Sequence, residues 1–247
     1  MSATTTGKWT YASQRTAGFS PNNAALAATY PPSAADASAG TVTLTLTSTG
    51  DVSPCTSRTA QVVMTVYKAA TVAVGGSQTI CSSGATSGLG GTVGGGATGG
   101  TWSTTTGGTF TPNATTLNAT YTPSTADAVN GSVTLTLTTT GQQSPCGAAT
   151  AQVVVTVRKA ATVVVGGSQT ICSSGVTAGL GGTVGGGATG GTWSTTTGGT
   201  FSPNATTLNA TYTPSAADAA NGSVTLTLTA TGQQSPCGAA TAQVVVT

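Results

Sequence analysis

Ser132-Val133-Thr134-Leu135-Thr136-Leu137-Thr138-Thr139 places Val133, Leu135 and Leu137 on one side of an extended chain and Thr134, Thr136 and Thr138 on the other. A two-residue period of this kind marks a strand with one buried and one wet face. Working outward, residues 142–150 read as a hairpin loop holding Cys146, and 151–157 as the return strand. Upstream, Pro123-Ser124-Thr125-Ala126-Asp127 has the spacing of a capping box with Asp in the Glu position, which predicts one helical turn over 124–128. Asn130-Gly131 ends that turn. Before it lie short strands at 117–121, at 109–111 around Phe110, at 101–105 carrying Trp102, and at 89–93, with 94–100 as a loop of Gly, Ala and Thr. Residues 71–74 and 78–80 read as one edge strand jogged at Gly75-Gly76.

Nearly all of residues 68–156 is written again as 159–247, at an offset of 91. Seven positions differ: Ala73/Val164, Ala85/Val176, Ser87/Ala178, Thr111/Ser202, Thr125/Ala216, Val129/Ala220 and Thr139/Ala230. All are exchanges between small residues. A more diverged copy comes first, in which Trp9, Phe19, Tyr30, Asp36 and Cys55 answer Trp102, Phe110, Tyr121, Asp127 and Cys146. Such a period means a tandem array of one folded unit. Short strands in this order, with a Trp on the third, predict an all-β chain of tandem immunoglobulin-like β-sandwich repeats in a linear array. The frames are 1–67, 68–158 and 159–247, and the core aromatics are Trp9, Trp102, Trp193, Phe110, Phe201, Tyr121 and Tyr212. The first frame has no counterpart of the two opening strands. We expect the stretch to be cut from a longer array, with strands donated by a neighbouring chain as the alternative.

Composition excludes much. Of 247 residues only 4% are charged, His is absent, and the four acidic residues (Asp36, Asp51, Asp127 and Asp218) are all Asp. A formal charge of +2 is too small for a footprint on nucleic acid or anionic lipid. No apolar run approaches membrane-spanning length, so no membrane insertion is expected. The opening Met1-Ser-Ala-Thr-Thr-Thr-Gly-Lys lacks the apolar centre of a signal peptide. An enzyme is not expected, because acid–base chemistry needs His or paired carboxylates and each repeat carries one recurring Asp, placed to cap a helix. No metal or other cofactor is expected either. The repeat junctions carry Tyr67-Lys68 and Arg158-Lys159 where interdomain calcium needs several carboxylates.

The Gly-rich stretches 94–100 and 185–191 lack the Gly-Lys-Ser/Thr ending of a phosphate loop and read as turns. Trp102 and Trp193 could stack on sugars, but the third strand of a sandwich needs a core aromatic there. The Thr rows 134/136/138 and 225/227/229 suit β-propensity and solubility without charge. Ice binding, or recognition of a surface glycan, is the rival reading of those rows.

Five cysteines at recurring positions argue for disulfides and an oxidising compartment. Two pairings stand open. If the first strand runs parallel to the last, Cys81 and Cys146 lie at opposite ends of one repeat, roughly 30 Å apart for strands rising about 3.3 Å per residue. A disulfide needs about 6 Å between Cα atoms, so Cys81 would bond Cys237 across the junction. If that first strand is misplaced, each repeat carries its own bridge, Cys81–Cys146 and Cys172–Cys237.

The run Ser168-Gln-Thr-Ile-Cys, Gly-Thr-Trp-Ser, Phe-Ser-Pro-Asn-Ala-Thr-Thr-Leu-Asn-Ala-Thr-Tyr-Thr-Pro-Ser-Ala-Ala-Asp, Gly-Ser-Val-Thr-Leu-Thr-Leu-Thr and Pro-Cys-Gly resembles the Ig-like/PKD-like repeats of large secreted surface proteins in Bacteroidota. The resemblance covers essentially the whole chain. It implies export by the type IX route and a role as adhesin shaft or extracellular fibre, with further copies of the same repeat as partners and no catalytic residues. The reading that results is a non-catalytic structural array at the cell surface.

Overall fold

The computed structural model describes residues 6–11 and 18–247. The opening residues read above for a signal peptide lie mostly outside them. The first repeat contributes β1 (Thr6–Tyr11), α1 (Ala34–Ala39), β2 (Thr41–Thr49) and β3 (Thr59–Thr65). The second contributes β4 (Ala70–Ala73), β5 (Gln78–Cys81), β6 (Thr92–Gly95), β7 (Gly99–Ser103), β8 (Thr109–Thr111), β9 (Thr120–Thr122), α2 (Thr125–Asn130), β10 (Ser132–Thr140) and β11 (Thr150–Arg158). The third holds β12 (Ala161–Val164), β13 (Thr183–Gly186), β14 (Gly190–Ser194), β15 (Thr200–Ser202), β16 (Thr211–Thr213), α3 (Ala216–Asn221), β17 (Val224–Thr231) and β18 (Thr241–Val246). The chain is all-β, built of tandem immunoglobulin-like sandwich repeats.

These elements form two compact units. One comprises Met1–Thr71 with Val93–Gly99 and Thr139–Ala149; the other comprises Val72–Thr92, Gly100–Thr138 and Thr150–Thr247. The first unit thus takes residues 93–99 and 139–149 of the middle repeat together with the first.

In the second unit the third repeat shows the design. Strands β14, β17 and β18 form one antiparallel sheet, with Trp193 opposite Leu228 and Leu226 opposite Val244. Ladders β12–β13 and β15–β16 supply the opposing face. Alternation then does its work: Trp193, Tyr212, Val224, Leu226, Leu228, Val244 and Val246 are buried together, with Val163, Val184 and Phe201 packed against them. Trp193 stacks on Phe201 at 6.2 Å, and Phe201 meets Tyr212 at 5.0 Å. The middle repeat buries Trp102, Tyr121, Leu135, Leu137, Val153 and Val155 in the same way.

The edge strand differs from its sequence reading. It is not one jogged strand but two pieces belonging to different sheets. In the third repeat β12 pairs with β13, and the chain then crosses over, so that Gln169 bridges Val246 in parallel beside β18. Gly166, whose amide bonds the Leu180 carbonyl at 2.9 Å, marks the crossing. In the middle repeat β5 runs parallel to β11, with Val155 opposite Gln78 and Arg158 opposite Cys81. The strand expected at 89–93 begins three residues later, at β6. Leu89 and Gly91 are instead tied to the carbonyls of Ala119 and Leu117, at 2.9 and 3.1 Å. A Cβ on Gly91 would sit 2.6 Å from the Leu117 carbonyl oxygen, so this close approach of two backbones calls for glycine.

Each helix is a built cap. The Ser124 hydroxyl accepts from the Asp127 amide, the Asp127 carboxylate accepts from the Ser124 amide, and Gly131 closes the helix at φ 77°.

Candidate functional site

Two features recur in every repeat and carry the polar chemistry of the chain: an aspartate cluster under the cap, and the cysteines near the repeat ends.

Asp127 is fully buried. Its Oδ2 accepts from the Tyr121 hydroxyl at 2.7 Å and from the Ser124 amide at 2.7 Å, and its Oδ1 accepts from Thr106. Asp218 repeats this with Tyr212 at 2.8 Å, Ser215 at 2.7 Å and Thr197. Burial opposes ionisation of both carboxyls. The hydroxyl and amide donors outweigh it, holding Asp127 below the usual carboxylate range and Asp218 down at about 2. The tyrosines move the other way: burial and the adjacent carboxylate raise Tyr121 and Tyr212. Both oxygens of each carboxylate accept hydrogen bonds from the fold, so the cluster staples strand to helix. Among the described residues, no three His, Cys, Asp or Glu side chains gather closely enough to hold a metal.

The aromatic positions are likewise turned to the fold. Trp102 and Trp193 lie in the cores, with Nε1 donating to the Leu117 and Leu208 carbonyls at 3.0 Å. Phe110 stacks on Trp102 at 6.2 Å, and Trp9 in the first repeat is half-buried beside Phe19. On the outer face, Gln152 of β11 donates to Thr136 and Gln243 of β18 to Thr227, each at 3.2 Å. Asn113, the first residue of a glycosylation triplet, spends its Oδ1 on the amides and hydroxyls of Thr115 and Thr116.

The cysteines are placed by strand direction. Because β5 is parallel to β11, Cys81 arrives beside Arg158 at the repeat end. There the Ser82 amide bonds the Arg158 carbonyl at 2.7 Å, and the Ser82 hydroxyl accepts from the Ala160 amide at 2.9 Å. Cys237, in the turn closed by its own amide to the Gln234 carbonyl, brings its sulfur 3.4 Å from the same Arg158 oxygen. In the structure Cys81 and Cys237 are bonded, with Cα atoms 4.9 Å apart. Cys55, Cys146 and Cys172 are free thiols, and neither internal pair, Cys81–Cys146 or Cys172–Cys237, is formed. The structure adds two things the sequence did not signal, the Thr106 and Thr197 contacts, each made across 21 residues.

No protein-family model matches the chain, and no curated protein matches it. Solved structures with similarity include human CDH23 EC21-23, at 14% identity and TM-score 0.45 over 98% of this chain and 88% of that one. Mouse clustered PcdhgC3 EC1-3 follows at 15% identity and TM-score 0.41, over 97% and 88%. Drosophila N-cadherin EC1-4 aligns at 12% identity and TM-score 0.41, over 83% of this chain and 56% of that one.

Proposed function

We propose that the chain is a non-catalytic, extracellular structural array, a section of stalk or filament body with repeat frames 1–67, 68–158 and 159–247. The observation that carries this reading is the Cys81–Cys237 bond, which joins one repeat covalently to the next. A bond spanning 156 residues of sequence resists separation of neighbouring repeats, whereas a bond inside each repeat would leave the junction free. The inward use of Asp127, Asp218, Trp102 and Trp193 supports the same conclusion, since the groups that could do chemistry or grip a ligand are spent on folding. A disulfide of this kind belongs in an oxidising compartment. The resemblance to Bacteroidota surface repeats agrees with export to the cell surface and with further copies of the repeat as partners.

Labelling the native source with gold-tagged antibodies against this chain tests the reading. Label on elongated material outside intact cells is the expected result; label confined to the cytoplasm overturns it.

A further inference from the structure

Arg158 and Lys159 are charged groups of the second unit that its fold does not consume. The side-chain carboxylates of that unit are Asp127 and Asp218, both buried and both held by Tyr, Ser and Thr donors. No acidic side chain of the unit is therefore free to pair with either cation. Although adjacent in sequence, Arg158 and Lys159 line one cleft of about 300 Å³ at the junction of the middle and third repeats. Ala128 and Val129 give it an apolar wall, and Thr189 and Gln234 bring a hydroxyl and an amide. Two like charges lining one cleft, with no acid to balance them, make a place for an anion.

Main-chain bonds fix the frame of the cleft. The Gly187 amide donates to the Ala160 carbonyl and the Thr189 amide to the Thr231 carbonyl, each at 3.0 Å. The Ser82 amide anchors the Arg158 carbonyl at 2.7 Å, which holds the strand end that carries the guanidinium. Binding then has to order little beyond two long side chains. The first junction, within the first unit, is an internal comparison. It keeps Lys68, Thr98 and Gln143 and the same two bonds, Gly96 to Ala69 at 3.1 Å and Thr98 to Thr140 at 3.0 Å. Tyr67 stands there in place of Arg158, and Ser38 in place of Val129.

We propose that the Arg158–Lys159 cleft binds an anionic sugar unit, a ring carrying a carboxylate or a sulfate, of an acidic polysaccharide. The guanidinium fork takes two oxygens of the anion, and Lys159 adds a second charge. Thr189 and Gln234 hydrogen-bond ring hydroxyls, and the C–H face of the ring lies against Ala128 and Val129. Arg158, Lys159, Thr189 and Gln234 are all exposed, so a polymer enters side-on without threading. Two cations are too few for the many phosphate contacts that hold nucleic acid, or for the basic cluster that holds an anionic membrane. The site goes beyond a structural role and does not depend on it.

The test titrates the full chain with trigalacturonate and with a sulfated galactotriose at physiological salt, following backbone amides by NMR. Shifts confined to the cleft, at Gly187, Thr189 and Gln234, with one site per chain, are expected, and the sugar that binds more tightly identifies the anion. Arg158→Gln should weaken binding by roughly tenfold, as should methyl-esterifying the trigalacturonate. Arg58→Gln, at an exposed cation of the first repeat, should change nothing. Tyr67→Arg combined with Ser38→Val should add a second site, seen at Gly96 and Thr98. No binding by either sugar overturns the proposal, as does equal binding of the ester or an Arg158→Gln variant that binds like the parent. Shifts spread over every cation would mean charge attraction alone and overturn it too. A single-stranded oligonucleotide that displaces the sugar at equal concentration would assign the cleft to phosphate and overturn the choice of ligand.

Discussion

The Tyr212 hydroxyl donates to Oδ2 of Asp218 across 2.8 Å, tying strand β16 to the cap of helix α3. With Thr197 and the Ser215 amide it favours the ionised carboxyl in the folded chain. The sign of the pH effect follows. The folded value, about 2, lies below the ordinary value, so the contribution to stability is complete above about pH 4 and is lost as pH falls toward 2. Urea midpoints measured from pH 6 to pH 2 should fall across that window. Asp218→Asn should be less stable at pH 6 and show a flatter fall, because the titrating group is gone. An unchanged slope would remove Asp218 from the account.

Trp193→Ala should cost about 3–5 kcal/mol, the usual range for emptying a buried aromatic site. The side chain is 2% exposed and is held by Phe201 and the Leu208 carbonyl, so little can relax into the space. Trp102→Ala should behave alike in the middle repeat. Chemical denaturation followed by tryptophan fluorescence measures both. A near-neutral result would indicate a surface aromatic, as a sugar platform requires.

At the end of α3, Gly222 sits at φ 74° with no atom within 4 Å of where a Cβ would be. Backbone conformation alone is therefore at stake. Gly222→Ala should cost roughly 1–2 kcal/mol, and Gly222→Asn distinctly less, since Asn tolerates the left-handed region. Thermal melts of the two variants give the comparison, and equal losses would point to packing instead.

How far the fold could be read depended on how local its causes are. The Val-Thr-Leu-Thr alternation of β10 and β17 dictates strand and face by itself, and Ser124 with Asp127 writes the cap within four residues. The crossing at Gly166 was missed because two consecutive glycines suit a jog within a sheet as well as a passage between sheets. Only the Leu180 and Val246 contacts decide, and both are distant in sequence. The loop placed at 94–100 shrank because Gly95 and Gly99 lie in β6 and β7, where ladder bonds override low strand propensity. The Thr106–Asp127 contact had no local signal, since the two residues meet only after β8 and β9 have folded back. The recurrence of the cysteines was plain, and the Cys81–Cys237 pairing was legible only on the premise that the first strand runs parallel to the last, as β5 does to β11, a premise no periodicity encodes.

Removing the bond with Cys81→Ser should lower stability by about 2–5 kcal/mol, in line with the loss of a native disulfide. Strand content by circular dichroism should persist, because the cores of the repeats lie elsewhere. A variant that melts like the parent would show that the bond does not hold the repeats together.

The account rests most directly on which cysteines are joined, and the chain is well placed for the measurement. Trypsin cuts after Lys68, Arg158 and Lys159, and a protease cutting before aspartate then opens the chain at Asp127 and Asp218. Under non-reducing conditions this leaves Cys81 in 69–126, Cys146 in 127–158, Cys172 in 160–217 and Cys237 in 218–247. The account predicts a disulfide-linked pair of 69–126 with 218–247. A pair of 69–126 with 127–158 would contradict it, since each repeat would then be closed on itself and the junction left unbonded.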